Sequence, residues 1–321
     1  MMTSEAQKLP KGWQWVRLEE LCNTTSGGTP SRKISSYYGG EIPWVKSGEL
    51  EDCLIYKTEE KITQEAVNNS SAKVFSSGTL LIALYGATVG KLGILQVNAA
   101  TNQAVCAIFP GEYIYRDYLY FYLLSQRNQL LELSAGGAQA NISQEIIRRL
   151  EITLPPLAEQ KRIAAIAQKA DRLRRTRRYA LQLSDTYLQS SSNTTSGLNT
   201  ISTGIVKQCI VPIPPLPLQE KFARIVQKFE RLRTQQREAE RQAEYLFQTL
   251  LHRAFRGELT PQHANDEPAS VLLEQIGAEH TQAEAEAKAA TQAMGDAAEY
   301  LGTKAKQQDT EPIQLTIPGM E

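Results

Sequence analysis

Residues 154–175 read LPPLAEQKRIAAIAQKADRLRR, and residues 213–234 read IPPLPLQEKFARIVQKFERLRT. They are two copies of one unit. Residues 142–190 align with residues 201–249 without a gap at an offset of 59, from Ile142-Ser143 against Ile201-Ser202, through Gln160 against Gln219, to Arg172-Leu173-Arg174 against Arg231-Leu232-Arg233. Each copy is a short extended segment, a Pro-Pro stop and a long basic amphipathic helix. Proline is tolerated in a helix's first turn, where its missing N–H would find no partner anyway. Pro155-Pro156 and Pro214-Pro215 therefore each block what precedes them and open a helix. Two copies are too few for a solenoid, which needs about three or more. Two helices of one kind with a short connection predict an antiparallel pair.

Along the first helix Ile163, Ile166, Ala170, Leu173, Arg177, Ala180, Ser184 and Tyr187 follow an a/d pattern. Phe222, Ile225, Phe229, Leu232, Gln236, Ala239, Ala243, Leu246 and Leu250 occupy the equivalent positions of the second. A period of about 3.5 residues held over about four heptads predicts a coiled-coil seam along these residues. Arg177 and Gln236 weaken its middle, which either fixes register or marks a docking notch for another protein.

Working outward, residues 9–154 read as a globular domain. β-branched and aromatic residues predict strands at 13–18, 42–45, 79–85, 93–96, 104–109 and 149–154. Stretches dense in Gly, Ser, Thr and Asn at 23–36, 68–71, 98–102 and 134–141 predict loops, and residues 115–132 a helix. The expected class is α+β: one globular domain plus a long antiparallel two-helix coiled coil. Its parts are the domain at 9–154, the first helix at 155–190, a connection at 191–215, the second helix at 216–257 and a partly helical tail at 258–321. A chain of 321 residues with 41% hydrophobic content has room for about two domains and a real core.

Zero net charge hides an asymmetry. Lys+Arg against Asp+Glu is 14 to 15 over residues 1–156, 18 to 8 over 157–256, and 3 to 12 over 257–321. The basic middle suits phosphate or an acidic protein, or is simply a solvated pair of helices. Cys22, Cys53, Cys106 and Cys209 lack metal-ligand spacing and read as reduced thiols. No apolar run approaches the roughly 20 residues of a membrane span, and MMTSEAQKLPKG has no signal-peptide core, so the expected location is cytoplasmic.

Catalytic motifs find little support. Gly86-Ala87-Thr88-Val89-Gly90-Lys91 has three residues between its glycines where a P-loop needs four, and Leu92 stands where Ser or Thr would hold magnesium. It is either a phosphate-touching loop or a plain tight turn. Asp52, Glu59 and Lys61 faintly resemble a nuclease cluster, a pattern short enough to arise by chance. His252, His263 and His280 have no metal spacing, no Gly-x-Ser-x-Gly elbow occurs, and Asn102-Gln103 lacks the aromatic tetrapeptide of amino-methyltransferases. Binding is better supported. Ser26, Gly27, Gly28, Thr29, Ser31, Arg32 and Lys33 combine flexible backbone, hydroxyls and cations suited to phosphates and base edges, and Trp44, Lys46, Thr88 and Lys91 join them as candidate DNA contacts.

Leu9-Pro10-x-Gly12-Trp13-x-Trp15, Ser26-Gly27-Gly28-Thr29-Pro30 and Ile42-Pro43-Trp44 resemble a target recognition domain of the DNA specificity (S) subunit family of type I restriction–modification systems. Asn141-Ile142-Ser143 and Leu154-Pro155-Pro156-Leu157-x-Glu159-Gln160 resemble that family's first conserved spacer. Pro214-Pro215-Leu216 with Gln219, and residues 250–259 (LLHRAFRGEL), resemble the second. The resemblance implies a non-catalytic subunit with two recognition domains, each reading half of a split double-stranded DNA site. Its helices dock methyltransferase (M) subunits, which carry S-adenosylmethionine, and motor–nuclease (R) subunits complete the complex. Arg172, Arg175, Arg231 and Arg233 are the expected partner-docking residues. The chain departs from the plan: only six residues separate Ser190 from a segment, 197–213, that normally ends a second recognition domain. That domain reads as deleted, with 191–215 as its remnant, so that its last strand and its spacer helix are left. Two self-associated copies would restore two heads and favour a palindromic site. Two rivals are a truncated scaffold without selective DNA binding and, remotely, a nuclease.

Overall fold

The structure is a computed structural model that describes residues 9–134, 141–190, 215–261, 263, 265–279, 281–282 and 285–286. The segment 191–214, with Cys209 and the expected second-domain remnant, lies outside the described residues, as does most of the acidic tail. The chain divides into two units, Met1–Glu267 and Pro268–Glu321. The second contains a helix over residues 269–279. Residues 258–267, expected to open the tail, group with the first unit, where Thr260 donates to Glu159 and Asp266 pairs with Arg162.

In that first unit, β1 (Gln14–Arg17) runs antiparallel to β11 (Glu151–Leu154), so the head's first and last strands close on each other. A five-stranded sheet has the order β2 (Cys22–Ser26), β10 (Val105–Pro110), β7 (Leu80–Ala83), β8 (Leu92–Leu95), β4 (Cys53–Ile55). A four-stranded sheet has the order β5 (Glu60–Ile62), β3 (Tyr38–Val45), β9 (Ala99–Thr101), β6 (Val74–Phe75). Pairs β4–β8 and β3–β9 are parallel and the rest antiparallel. Val45, Leu81, Leu95, Val105 and Ala107 fill a common core, while Trp44, Ile62, Ala66 and Ala100 form a second cluster beside α2 (Gln64–Asn68). Each predicted strand is present within a few residues. The helix predicted over 115–132 is two, α3 (Arg116–Ser125) and α4 (Arg127–Ser134). The predicted loop 23–36 opens with strand β2, whose polar sequence CNTTS carries no apolar alternation.

Short helices α1 (Leu18–Leu21) and α5 (Gln144–Arg148) flank the ribbon, and Ser143 caps α5 by accepting from Ile146 N–H at 3.2 Å. Beyond Pro155-Pro156 comes α6 (Leu157–Ser190), and after Pro215 comes α7 (Leu216–Ala254). They are antiparallel: Arg174 meets Glu244 at 2.8 Å, Arg178 meets Glu240 at 3.4 Å, and Arg177 donates to the Ala239 carbonyl at 3.2 Å.

The seam matches the predicted one only in part: Arg177 and Ala239, both of the predicted set, meet across it. Buried positions on α6 are Glu159, Gln160, Ile163, Ala164, Ala167, Asp171 and Arg174, and on α7 Phe247, Leu251 and Ala254. Among the described residues of the expected set only Ile163 is fully buried; Ile166, Ala170, Ala239, Ala243 and Leu250 are half-buried, and Leu173 is 74% and Leu246 64% exposed. The head sets the register. Gln160, Gln168 and Arg175 of α6 bond to Tyr115, Asp117 and Tyr120 of the head, Arg174 joins Asp171 to Glu244 of α7, and Leu173, Leu232 and Leu246 of the a/d set are left exposed. Every residue from 215 to 232 is exposed, including Leu216, Phe222, Ile225 and Phe229.

Candidate nucleic-acid interface and helical docking surface

The head is pinned to its helices by α3. Gln160 is fully buried; its carboxamide oxygen accepts Tyr115 N–H at 2.7 Å, and its Nε2 donates to Tyr113 O at 3.1 Å and Pro155 O at 3.0 Å. Tyr118 donates its hydroxyl to Thr153 O at 2.6 Å, and Tyr122 donates to Glu151 O at 2.9 Å. Burial drives both phenols well above their ordinary pKa, so they remain neutral donors. Phe255, just past α7, lies edge-on to both rings at 5.4 and 5.0 Å. Arg174 sits over the Phe247 ring at 4.5 Å while its guanidinium joins Asp171 to Glu244. Burial alone raises the Glu244 carboxyl, but hydrogen bonds from Gln248 and Arg174 and the charges of Arg174 and Arg178 outweigh it and hold it below the ordinary range.

The four arginines expected to dock partners are divided. Arg175 is engaged within the chain, paired with Asp171 and donating to the Tyr120 hydroxyl at 3.0 Å. Arg172 and Arg231 are exposed, and Arg233 is half-buried with a partner of its own. Beside the ribbon, Trp15, Arg149, Tyr245, His252 and Arg256 line a groove between β1, α5 and the end of α7.

On the head, several expected DNA contacts prove internal. Trp44 is 2% exposed and its indole N–H donates to Gly28 O at 3.2 Å, so it props the glycine loop from beneath. The Gly27 N–H donates to Val105 O and the Gly28 N–H to Thr101 O, leaving neither for a phosphate. A Cβ on Gly27 would lie 2.1 Å from Thr101 Oγ1, and one on Gly28 2.3 Å from Ser71, so both glycines serve close packing. Ser26 donates to Gln144 at 3.4 Å, and Thr29 hydrogen-bonds the Gln103 side chain. Arg32 is paired with Glu60 at 2.6 Å and stacks over the Tyr38 ring at 4.3 Å. Lys46 is paired with Glu59 at 2.7 Å and Glu60 at 3.1 Å. A hydrogen bond from Arg32, then one from Lys46, hold the Glu60 carboxyl below its usual range, so this cluster is internally neutralised. Ser31 and Lys33 are exposed.

Residues 86–91 form the β7–β8 turn. Val89, Gly90 and Lys91 give their N–H groups to Gly86, Ala83 and Thr88, and the Thr88 hydroxyl donates to Ser47 O at 2.7 Å. These three N–H groups are thus engaged within the turn. Asp52 is an ion-pair partner of Arg127 and accepts Leu92 N–H at 3.0 Å, while Glu59 holds Lys46, so the nuclease-like trio does not converge. Among the described residues no group of three His, Cys, Asp or Glu is placed to hold a metal, and no helix is long and apolar enough to cross a membrane. Cys22, Cys53 and Cys106 are free thiols; burial pushes Cys22 and Cys106 up to about 12, which makes them unreactive.

Sequence reasoning passed over one polar strip. Thr24 accepts from Arg148 Nε at 3.0 Å and Gln144 Nε2 at 2.9 Å, and Thr25 accepts from Lys73 Nζ at 2.7 Å. No motif marks it, because its residues lie some 50 to 120 positions apart.

Comparison with known proteins places these features among relatives. Residues 10–182 match the profile of the type I restriction modification DNA specificity domain. The chain is 30% identical over 171 residues to the type I restriction enzyme MjaIX specificity subunit of Methanocaldococcus jannaschii, covering 52% of this chain and 39% of that one. It is 31% identical over 166 residues to the EcoR124I/EcoR124II specificity subunit of Escherichia coli, covering 50% and 41%. A crystal structure of the HsdS subunit from Thermoanaerobacter tengcongensis superposes with a TM-score of 0.41 at 24% identity, covering 80% of this chain and 48% of that one. The chain thus spans about two-fifths of the length of these curated relatives.

Proposed function

We propose what this chain does from its kinship: it belongs to the type I restriction modification DNA specificity domain family. In our reading it is a non-catalytic DNA sequence-recognition subunit. Its single head contacts double-stranded DNA, and its helices dock methyltransferase subunits and direct them to a target. S-adenosylmethionine belongs to those partners, and motor–nuclease subunits join through the same complex.

One observation carries the reading. The matched region, 10–182, takes in a head and a protruding helix, which Gln160 bonded to Tyr115 and Tyr113, Gln168 bonded to Asp117 and Arg175 bonded to Tyr120 lock into one body. A reading head rigidly fixed to an arm is what positioning a separate enzyme on DNA requires. The exposed Leu173 of α6 and Leu232 and Leu246 of α7 supply apolar surface for partners on the helices. The exposed first turns of α7 further support self-association, which would bring two heads to one symmetric site.

Mapping methylated bases in cells with and without this chain, beside its methyltransferase, tests the proposal. A discrete motif that vanishes with the chain is expected; an unchanged methylation pattern would refute it. The scaffold alternative draws on the neutralised Arg32–Glu60–Lys46 cluster. It predicts DNA binding that ignores sequence and collapses steeply with salt.

A further inference from the structure

We propose that strand β2 and the two cations straddling it form the head's contact surface for the sugar–phosphate backbone of double-stranded DNA. This rests on the head being a DNA reader and states where the backbone lies on it. A surface cation serves a phosphate best when no carboxylate already neutralises it. Arg32 and Lys46 fail that condition, since both are paired with Glu60. Lys73 and Arg148 meet it differently: Lys73 Nζ is held by the Thr25 hydroxyl at 2.7 Å and Arg148 Nε by the Thr24 hydroxyl at 3.0 Å. A hydroxyl fixes a cation's position and leaves its charge intact. Both side chains are exposed.

Neighbouring residues of a strand point to opposite faces. Thr24 and Thr25 therefore hold their cations on the two sides of β2, which ends the five-stranded sheet. Gln144 adds polar atoms beside Arg148, donating to Thr24 at 2.9 Å and accepting from Ser26 at 3.4 Å. The strip runs directly into the Ser26–Lys33 loop, whose Ser31 and Lys33 are exposed. Backbone contacts set register and orientation, and base-edge contacts set sequence, so the strip would place the adjoining loop against the bases.

The test titrates the full chain onto a fluorescein-labelled mixed-sequence duplex, read by anisotropy across a salt series. Removing two phosphate contacts should flatten the log–log salt slope by about 1.8 and weaken binding about thirtyfold at roughly 0.15 M salt. That is the expected result for the Lys73→Gln/Arg148→Gln double variant, with circular dichroism unchanged. Lys11→Gln/Lys57→Gln removes the same charge from exposed positions elsewhere on the head and should leave the slope as in the wild type. If the wild type binds but the double variant keeps its slope, or the control loses as much, the strip is not the contact while the DNA reading survives. If the wild type binds no duplex at any salt, the strip and the DNA reading fall together.

Discussion

The repeat supplies its own internal control for how the head is held. Gln160 and Gln219 occupy the same position in the two copies, yet Gln160 is fully buried against the head and Gln219 is exposed at the start of α7. Gln160→Ala would strip a partner from the Tyr115 N–H and from the Tyr113 and Pro155 carbonyls. A buried donor left unpaired costs about 1–3 kcal/mol, and carbonyls with a second lone pair cost less. We expect a loss of about 3 kcal/mol, and a midpoint lowered by about 6–12 °C for a body of this size. Gln219→Ala should stay within about 0.5 kcal/mol of wild type, as exposed substitutions do. Urea denaturation followed by fluorescence of the buried Trp13 and Trp44 measures both variants. The slope m should not change, because the surface exposed on unfolding does not. A Gln160→Ala variant as stable as the wild type, or a Gln219→Ala variant equally damaged, would refute the claim that this glutamine pins helix to head.

Arg174→Ala leaves Asp171 and Glu244 without their shared guanidinium, and should lower stability by about 2–3 kcal/mol in the same denaturation assay, Arg175 limiting the damage at Asp171. The pairing at Glu244 gives a pH signature: its carboxyl titrates below the ordinary value, so its stabilisation is full above about pH 4.3 and is lost as pH falls through the folded-state pKa. Denaturation midpoints of wild type and Glu244→Gln should accordingly converge on acidification, and a constant gap would contradict the assignment. Replacing Phe222, Ile225 and Phe229 together by serine should leave the head's unfolding unchanged but reduce copies per complex in sedimentation, if α7 is the self-association surface.

Much of this architecture is legible in the residues. Pro155-Pro156 and Pro215 open their helices where the sequence places them, and β-branched runs mark the strands that face the core. The failures have physical causes. An apolar period locates a stripe but not what covers it: α6 carries both the stripe that holds Leu173 and one holding Ala164, Ala167, Asp171 and Arg174, and the second, more polar stripe is the more deeply buried. Nothing in the spacing shows that Arg174 will be buried, because its partner Glu244 lies 70 residues away. Trp44 reads as a contact residue because it follows Pro43 at a strand end, and only the sheet's pairing turns it inward. Strand β2 escapes notice because a polar edge strand lacks the alternation that burial imposes.

The repeat also constrains what can cover α7. In the first copy Ala164, Ala167 and Ala170 line α6 beside the head, and small residues let a neighbouring helix approach closely. At the equivalent positions the second copy has Ala223, Val226 and Phe229, with Phe222 in place of Ile163. Interaxial distance follows side-chain size, over about 8–10 Å. A head of the first kind, shaped for the alanine face, would meet Val226 and Phe229 too early. Yet each of these larger side chains gains about 1.5–3 kcal/mol when fully buried. The exposed turns of α7 therefore favour a more widely spaced cover, another helix rather than a second head like the first, and a copy of α7 itself meets that condition.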